Sequence, residues 1–418
     1  MTESLPEISF PLVEALDRCA RCGQCRSLCP VFERNLNESD VARGRISLLQ
    51  AFLEGQSISE DKLGELFYSC IKCYRCEANC PSHVEYGPII SSMGFLFGLK
   101  GSWVRLVSWM LRWILPRRRL YDGILCLARW SQIMLPSQRG MSMRHLPISL
   151  FHRKAMPALA KVPALRRAPE SEGRGGVLLF TGCLGNYVYP QTVRSTESIL
   201  RSAGFRVEIP RQQLCCGMPL KAIGDKTGAR RLAEKNADLF ESMRPDWIVS
   251  PCPTCAGHLK RGYVELIGDR AMPWMDHVKD MSELLVQESD LLDREAKALS
   301  GTLKPRVVYH DPCHLLWVLR VREEPRRLLQ EVSVLLETEQ GPRCCGMGGI
   351  FSALHPLLAS QIGSQRANDL LSANPEEVVT GCPGCMLQLQ ERILASGHSI
   401  PVLHTSEVIA RHLDRQKR

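Results

Sequence analysis

The sequence predicts a multidomain α+β protein. It has a helical N-terminal part, a basic helical linker and two repeated α/β units with parallel sheets. Three observations carry this. Eighteen of the nineteen cysteines fall into two patterns, each present twice. Beyond residue 176, short apolar runs alternate with helical periodicity and pass twice through the same order, and strands alternating with helices build parallel sheet. Between the two kinds of pattern lies an arginine-rich stretch without pattern cysteines. The implied divisions are 1–95, 96–175, 176–300 and 301–418.

A chain of 418 residues has room for two to four such units. Its 44% hydrophobic and 23% charged residues exclude a disordered chain. The net charge of +9 is local. Residues 100–174 hold fifteen Lys/Arg and three Asp/Glu, a net of +12, so the remainder sums to −3. That excludes a general nucleic-acid binder and favours one confined contact surface.

In the first part, C-x2-C-x2-C-x3-C-P occurs at Cys19, Cys22, Cys25, Cys29, Pro30 and again at Cys70, Cys73, Cys76, Cys80, Pro81. The N-terminus lacks a basic segment followed by an apolar run, so no export is expected and the thiols stay reduced. Regular spacing in a reducing compartment points to metal rather than disulfides. Zinc also uses C-x2-C, but the full 2-2-3 spacing ending in Pro, twice over, is that of two-cluster ferredoxins. There the fourth cysteine crosses to the other cluster. One [4Fe-4S] cubane is therefore expected on Cys19, Cys22, Cys25 and Cys80, and a second on Cys70, Cys73, Cys76 and Cys29. The 40 residues between Cys29 and Cys70 leave room for helices, and Arg43–Leu53 has helical apolar spacing.

The linker carries Trp103, Trp109, Trp113 and Trp130 among Arg105, Arg112 and the run Arg117, Arg118, Arg119. No stretch reaches the roughly 18 apolar residues of a spanning helix. An amphipathic helix against a membrane surface, or a hairpin packed on a partner or on the protein itself, fits this composition. Arg117, Arg118 and Arg119 are the candidate contact residues. Cys126, among Ile124, Leu125 and Leu127, is expected to be a buried small hydrophobe. Residues 137–175, rich in Pro, Ser and Arg, read as an extended linker.

The repeated unit has a lone Cys, then Cys-Cys-Gly 32 or 31 residues on, then Cys-Pro-x-Cys. The copies are Cys183, Cys215, Cys216, Cys252, Cys255 and Cys313, Cys344, Cys345, Cys382, Cys385. Strands are predicted at 177–180, 206–209 and 247–250, with helices at 190–203 and 224–242. The second copy has strands at 306–310 and 377–380 and helices at 323–337 and 355–372. Each cysteine follows a strand end, where open α/β sheets place their sites. Five thiolates exceed the four corners of a cubane. They fit either a distorted cluster with a bridging thiolate or a cubane with a spare cysteine. His310, Asp311 and His314 flank Cys313, and His258 follows Cys255. They are candidates to hydrogen-bond cluster sulfur.

With these residues in view, the chain resembles the glycolate oxidase iron–sulfur subunit family. Its repeats look like the cysteine-rich CCG domains of heterodisulfide reductases and of the iron–sulfur subunit of anaerobic glycerol-3-phosphate dehydrogenase. The segment Arg43-Gly44-Arg45-Ile46 adds to the likeness. The resemblance implies that each five-cysteine set ligates a further [4Fe-4S] cluster, of cubane or non-cubane form. It implies an oxidoreductase subunit that takes electrons from an FAD-binding dehydrogenase oxidising glycolate or D-lactate and passes them toward quinone or another carrier. The expected location is cytoplasmic, with peripheral contact at the inner face of the cell membrane as the alternative that a membrane-surface linker helix would give. Both copies keep Cys-Pro-x-Cys complete, as in heterodisulfide reductases with non-cubane clusters, so disulfide reduction is the alternative. A purely scaffolding role fits worst, because four sites in a row suit conduction. No G-x-G-x-x-G after a strand and no P-loop is present, and Gly346-Met347-Gly348-Gly349 belongs to the cysteine pattern. The flavin is therefore expected on another chain.

Overall fold

The computed structural model describes residues 10–98, 101–132, 143–150, 153–167, 176–289 and 304–416. The multidomain α+β architecture is present, with two four-stranded sheets that are parallel throughout.

The N-terminal part is helical. Phe10–Asp17, Ala42–Leu53, Glu60–Tyr68 and Tyr86–Phe97 bury one core through Leu16, Leu49, Leu63, Phe67 and Met93. The Ala42–Leu53 helix sits so close to the preceding turn that a Cβ on Gly44 would lie 2.0 Å from the Glu38 carbonyl oxygen. Arg45 is fully buried on the inner face of this helix. Its guanidinium donates to the Leu66 carbonyl at 2.8 Å, to Ser69 Oγ at 2.9 Å and to Asp40. A buried cation is tolerable only when paired in this way.

The first sheet holds β3 Val177–Leu179, β4 Val207–Glu208, β5 Trp247–Val249 and β6 Val278–Lys279, in the order β4-β3-β5-β6. The second holds β7 Arg306–His310, β8 Val334–Leu336, β9 Glu377–Thr380 and β10 Val402–His404, in the order β10-β9-β7-β8. Numbered within each copy, the first sheet runs 2-1-3-4 and the second, read from its β8 edge, runs the same way, so the duplication extends to topology. The copies also share cores. Val177, Leu179 and Val249 pack in one cluster with Val307, Tyr309, Leu328 and Ile409, and His404 Nε2 lies 2.9 Å from the Pro251 carbonyl oxygen.

Several expectations need correction. The fourth strands β6 and β10 were not expected, and β8 lies inside the expected helix 323–337. That helix stops at Val332 because Ser333 turns extended (φ −151°, ψ 168°) while its Oγ bonds the Leu329 carbonyl at 2.6 Å. Val-Leu-Leu then pairs with β7, and a run this short has no period of its own. Within the expected linker, β1 Met143–Leu150 and β2 Arg153–Pro157 form an antiparallel pair. Its register shifts between His145 and Leu150, where Pro147 lacks a donor. Residues 133–142, 151–152 and 168–175 of the linker lie outside the described residues.

The basic region is a hairpin of helices Ser102–Ile114 and Arg118–Gln132. Its inner side packs on the first α/β unit through Val104, Leu111, Leu115 and Tyr121. Asp225 pins it. This fully buried carboxylate accepts from Ser108 and Arg112 and from the Gly228 amide at 2.8 Å. Cys126 is exposed, not buried. It lies on the same helix as the exposed Leu127 and Trp130, so an apolar sequence neighbourhood did not mean an apolar surrounding. The side chain of Trp103 lies outside the described residues.

Candidate metal centres

All nineteen cysteines are free thiols. In the ferredoxin-type part the structure brings Cys80 to Cys19, Cys22 and Cys25, around one small surface cavity that Cys76 also lines. Cys29 crosses the other way and acts electrostatically on Cys73 and Cys76. The fourth cysteine of each motif thus stands with the first three of the other.

Both loops share an unusual backbone. Arg21 (φ 54°) and Gly23 (φ 87°) in the first match Lys72 (φ 57°) and Tyr74 (φ 59°) in the second. Three of these four are not glycine, and each left-handed residue costs about 1–2 kcal/mol. Such turns aim successive amides inward as an anion-binding nest, and the Lys72 amide donates to Cys70 Sγ at 3.4 Å. Buried Arg45 and Lys72 set positive charge beside Cys70. Burial pushes the Cys73 thiol up to about 12, so a metal that takes this sulfur as thiolate must offset that burial. The residues present fit a negatively charged thiolate-ligated cluster.

The ten cysteines of the repeated units form two sites that touch. Their sulfurs are electrostatic neighbours in the order Cys183–Cys215–Cys216–Cys255–Cys252–Cys382–Cys385–Cys345–Cys344. Cys345 and Cys385 sulfurs are 3.3 Å apart. The link between copies is Cys252 to Cys382. Within each copy the second cysteine of the Cys-Cys pair collects negative charge. Hydrogen bonds with Cys215 and Cys255 bring Cys216 down to about 6, and those with Cys344 and Cys385 hold Cys345 well below an ordinary thiol. Cys313 stands off the chain and faces the ferredoxin-type half. It lines a small cavity with Cys344, Pro30 and Cys73.

Topology explains the convergence. Cys183 follows β3 and Cys252 follows β5, and these neighbouring strands flank the point where strand order reverses. Cys313 and Cys382 stand in the same relation to β7 and β9. Gly217 and Gly346 (φ 93° and 85°) turn the chain after each Cys-Cys pair, and the Gly346 amide donates to Cys344 Sγ at 3.3 Å.

The candidate histidines divide. A ring nitrogen of His310 lies within 4.8 Å of the Cys345 and Cys385 sulfurs. Its Nδ1 accepts from Arg366 Nε at 3.1 Å, which leaves the proton on a buried Nε2 whose electrostatic partner is the Cys345 sulfur. A buried ring donor beside two cysteine sulfurs fits a site that holds a group with sulfur acceptors. His314 Nδ1 lies 3.7 Å from Cys313 Sγ and 3.3 Å from Thr254 Oγ1 of the first copy. His258 is buried and packs edge-on against Tyr263, with Lys221 and His314 as electrostatic neighbours. Asp311 lines the small cavity with Cys313 and Cys344, and its carboxylate is engaged in a two-point ion pair with Arg326 at 2.7 and 2.8 Å.

Sequence reading missed Arg366, whose guanidinium orients His310, and the contact between copies. The first had a faint signal. Aligning the lone cysteines places Phe180 opposite His310, so only the second copy has a polar group at that strand end. Replacing His310 with Phe is expected to lower the midpoint potential of the second-copy site by about 60 mV, the loss of one charge-assisted hydrogen bond. Redox titration followed by EPR checks this, and an unchanged potential would sink the role.

These paired thiol sets on a duplicated parallel sheet, beside a two-motif helical part, define a multicentre iron–sulfur protein of the oxidoreductase-subunit class. The pattern of the 4Fe-4S dicluster domain matches residues 15–84, and that of the cysteine-rich domain matches residues 177–260 and 307–390. The chain is similar along nearly its whole length to glycolate oxidase iron–sulfur subunits. It is 27% identical to the probable glycolate oxidase iron-sulfur subunit of Bacillus subtilis, over 94% of this chain and 92% of that one. It is 28% identical to the glycolate oxidase iron-sulfur subunit of Escherichia coli, over 96% and 95%. One of the subunits of the fumarate reductase (CoM/CoB) of Methanothermobacter marburgensis is also 28% identical, over 91% of this chain and 68% of that one. No helix of the described residues is long and apolar enough to cross a membrane.

Proposed function

We propose that this chain is the electron-transfer subunit of a flavin-linked 2-hydroxy-acid dehydrogenase, with glycolate or D-lactate as substrate. Oxidation of the acid to a 2-oxo acid leaves two electrons and two protons on an FAD-binding partner. This chain would accept the electrons singly and deliver them to quinone or another carrier. Iron–sulfur clusters, when bound, supply one-electron sites. Cys19, Cys22, Cys25 and Cys80 would hold the first and Cys70, Cys73, Cys76 and Cys29 the second. Each five-cysteine set would hold one more, of cubane or non-cubane form.

The observation that carries the reading is the spatial order of the sulfur sets. Cys25 and Cys76 are electrostatic neighbours. Cys73 then adjoins Cys313 and Cys344, and Cys382 adjoins Cys252. The order is first ferredoxin-type set, second ferredoxin-type set, second repeat, first repeat. It differs from chain order and has no gap. Cys22, exposed at one end, would face the donor.

Disulfide reduction is the second reading, favoured by the Cys252–Cys382 contact, which sets two complete five-thiol sites side by side. The two separate experimentally. Co-purification with an FAD-binding dehydrogenase, and bleaching of the visible absorbance by glycolate or D-lactate, is the expected result. Reduction of a disulfide by the purified chain with an artificial donor would defeat the relay as a complete account.

A further inference from the structure

We propose that the outer face of the 102–132 helical hairpin docks on an anionic lipid surface. The hairpin exposes eight of the fourteen large hydrophobic side chains found exposed among the described residues. They form stripes rather than a scatter. Trp109, Met110 and Trp113 follow helical spacing on one helix, and Ile124, Leu127 and Trp130 on the other. Trp109, Trp113, Leu127 and Trp130 are each at least half exposed, up to 73% for Leu127. The inner sides of both helices are already taken by the core around Leu115 and Tyr121, so the stripes point away from the body. Exposed apolar area on this scale marks a contact surface.

Charge decides what covers it. Asp122 is the hairpin's single acidic residue. It is turned inward to Tyr187 at 2.7 Å and to Arg118. Arg118 also points inward, to the carbonyls of Arg211 and Gln213, so it is a strut and not the contact residue its sequence suggested. Arg105, Arg117, Arg119 and Arg129 pair with no carboxylate among the described residues, and Arg117 stacks over Trp113 at 4.0 Å. A second copy of this face would bring like charges together. Tryptophan, leucine and unpaired arginine on one face suit the boundary between anionic headgroups and acyl chains. The helices, of 13 and 15 residues, would lie in that boundary rather than cross it.

Docking deepens the relay reading in one respect and rests on it there. Arg118 and Tyr121 of the hairpin share a small cavity with Cys183 and Cys215, the last set in the order. The exit of the relay would therefore sit directly beneath the lipid face.

The test is co-sedimentation of the full chain with vesicles, either phosphatidylcholine alone or phosphatidylcholine mixed equally with phosphatidylglycerol, at low and high salt. Binding to the anionic vesicles, weakened by salt, is expected. A variant with Arg105, Arg117, Arg119 and Arg129 all changed to Gln should partition about 1,000-fold less at low salt. A variant with Trp109, Trp113, Leu127 and Trp130 all changed to Ser should lose binding at both salts. Unchanged visible absorbance and circular dichroism in both variants shows that the fold survives. No binding by the unaltered chain, binding indifferent to both variants, or self-association in place of lipid binding overturns the proposal. The readout involves no electron transfer, so it fails independently of the relay.

Discussion

Replacing Cys345 with Ala in the complex with the flavoprotein is expected to leave the first-repeat site oxidised while both ferredoxin-type sites fill with electrons. Replacing Cys216 with Ala should leave the second-repeat site reducible as well. Both variants should drop turnover with an external acceptor to that of the flavoprotein alone. Tunnelling rates fall steeply with distance, so removing one set from a linear order isolates everything beyond it. Cys345 lies in the set that adjoins Cys73 through Cys313 and Cys344, whereas Cys216 lies beyond the Cys252–Cys382 contact. Freeze-quenched EPR after addition of the acid reads which sites are reduced. If electrons followed chain order instead, Cys216→Ala would block the second repeat and Cys345→Ala would spare the first. That inverted outcome would contradict the spatial order.

Much of this was legible in the sequence because cysteine spacing is a local signal. Cys19 to Pro30 and Cys70 to Pro81 state both the ligand type and the crossed fourth position, and the fold brings Cys80 and Cys29 across. The repeat order was equally readable, since apolar runs such as Val177–Phe180 and Arg306–His310 end where the cysteines begin. What was not legible depends on partners distant in the chain. The Cys252–Cys382 contact spans 130 residues and leaves no mark on either Cys-Pro-x-Cys element. β8 was hidden in a helical period that Ser333 breaks. Cys126, set among apolar neighbours, is exposed because its helix packs with Tyr121 inward. The inward turn of Arg118, against the outward Arg117 and Arg119, likewise depends on carbonyls of residues 211 and 213.

The second large effect is in metal content. Four sulfur sets, two of four cysteines and two of five, fill if each holds a four-iron group. The buried thiols are a costly arrangement without one. Burial and neighbouring sulfurs hold Cys76, Cys183, Cys313 and Cys344 well above an ordinary thiol. The left-handed residues Arg21, Lys72 and Tyr74 persist in the ferredoxin-type loops. Iron gives these groups what protons and water cannot, so loss of one set should remove about four iron atoms and leave the others loaded. Cys345→Ala and Cys73→Ala should each show that step. The most direct measurement is iron and acid-labile sulfide per chain in the anaerobically purified, unaltered protein. About sixteen of each is the expected result, and about eight would contradict the account by emptying either the ferredoxin-type pair or the repeated pair.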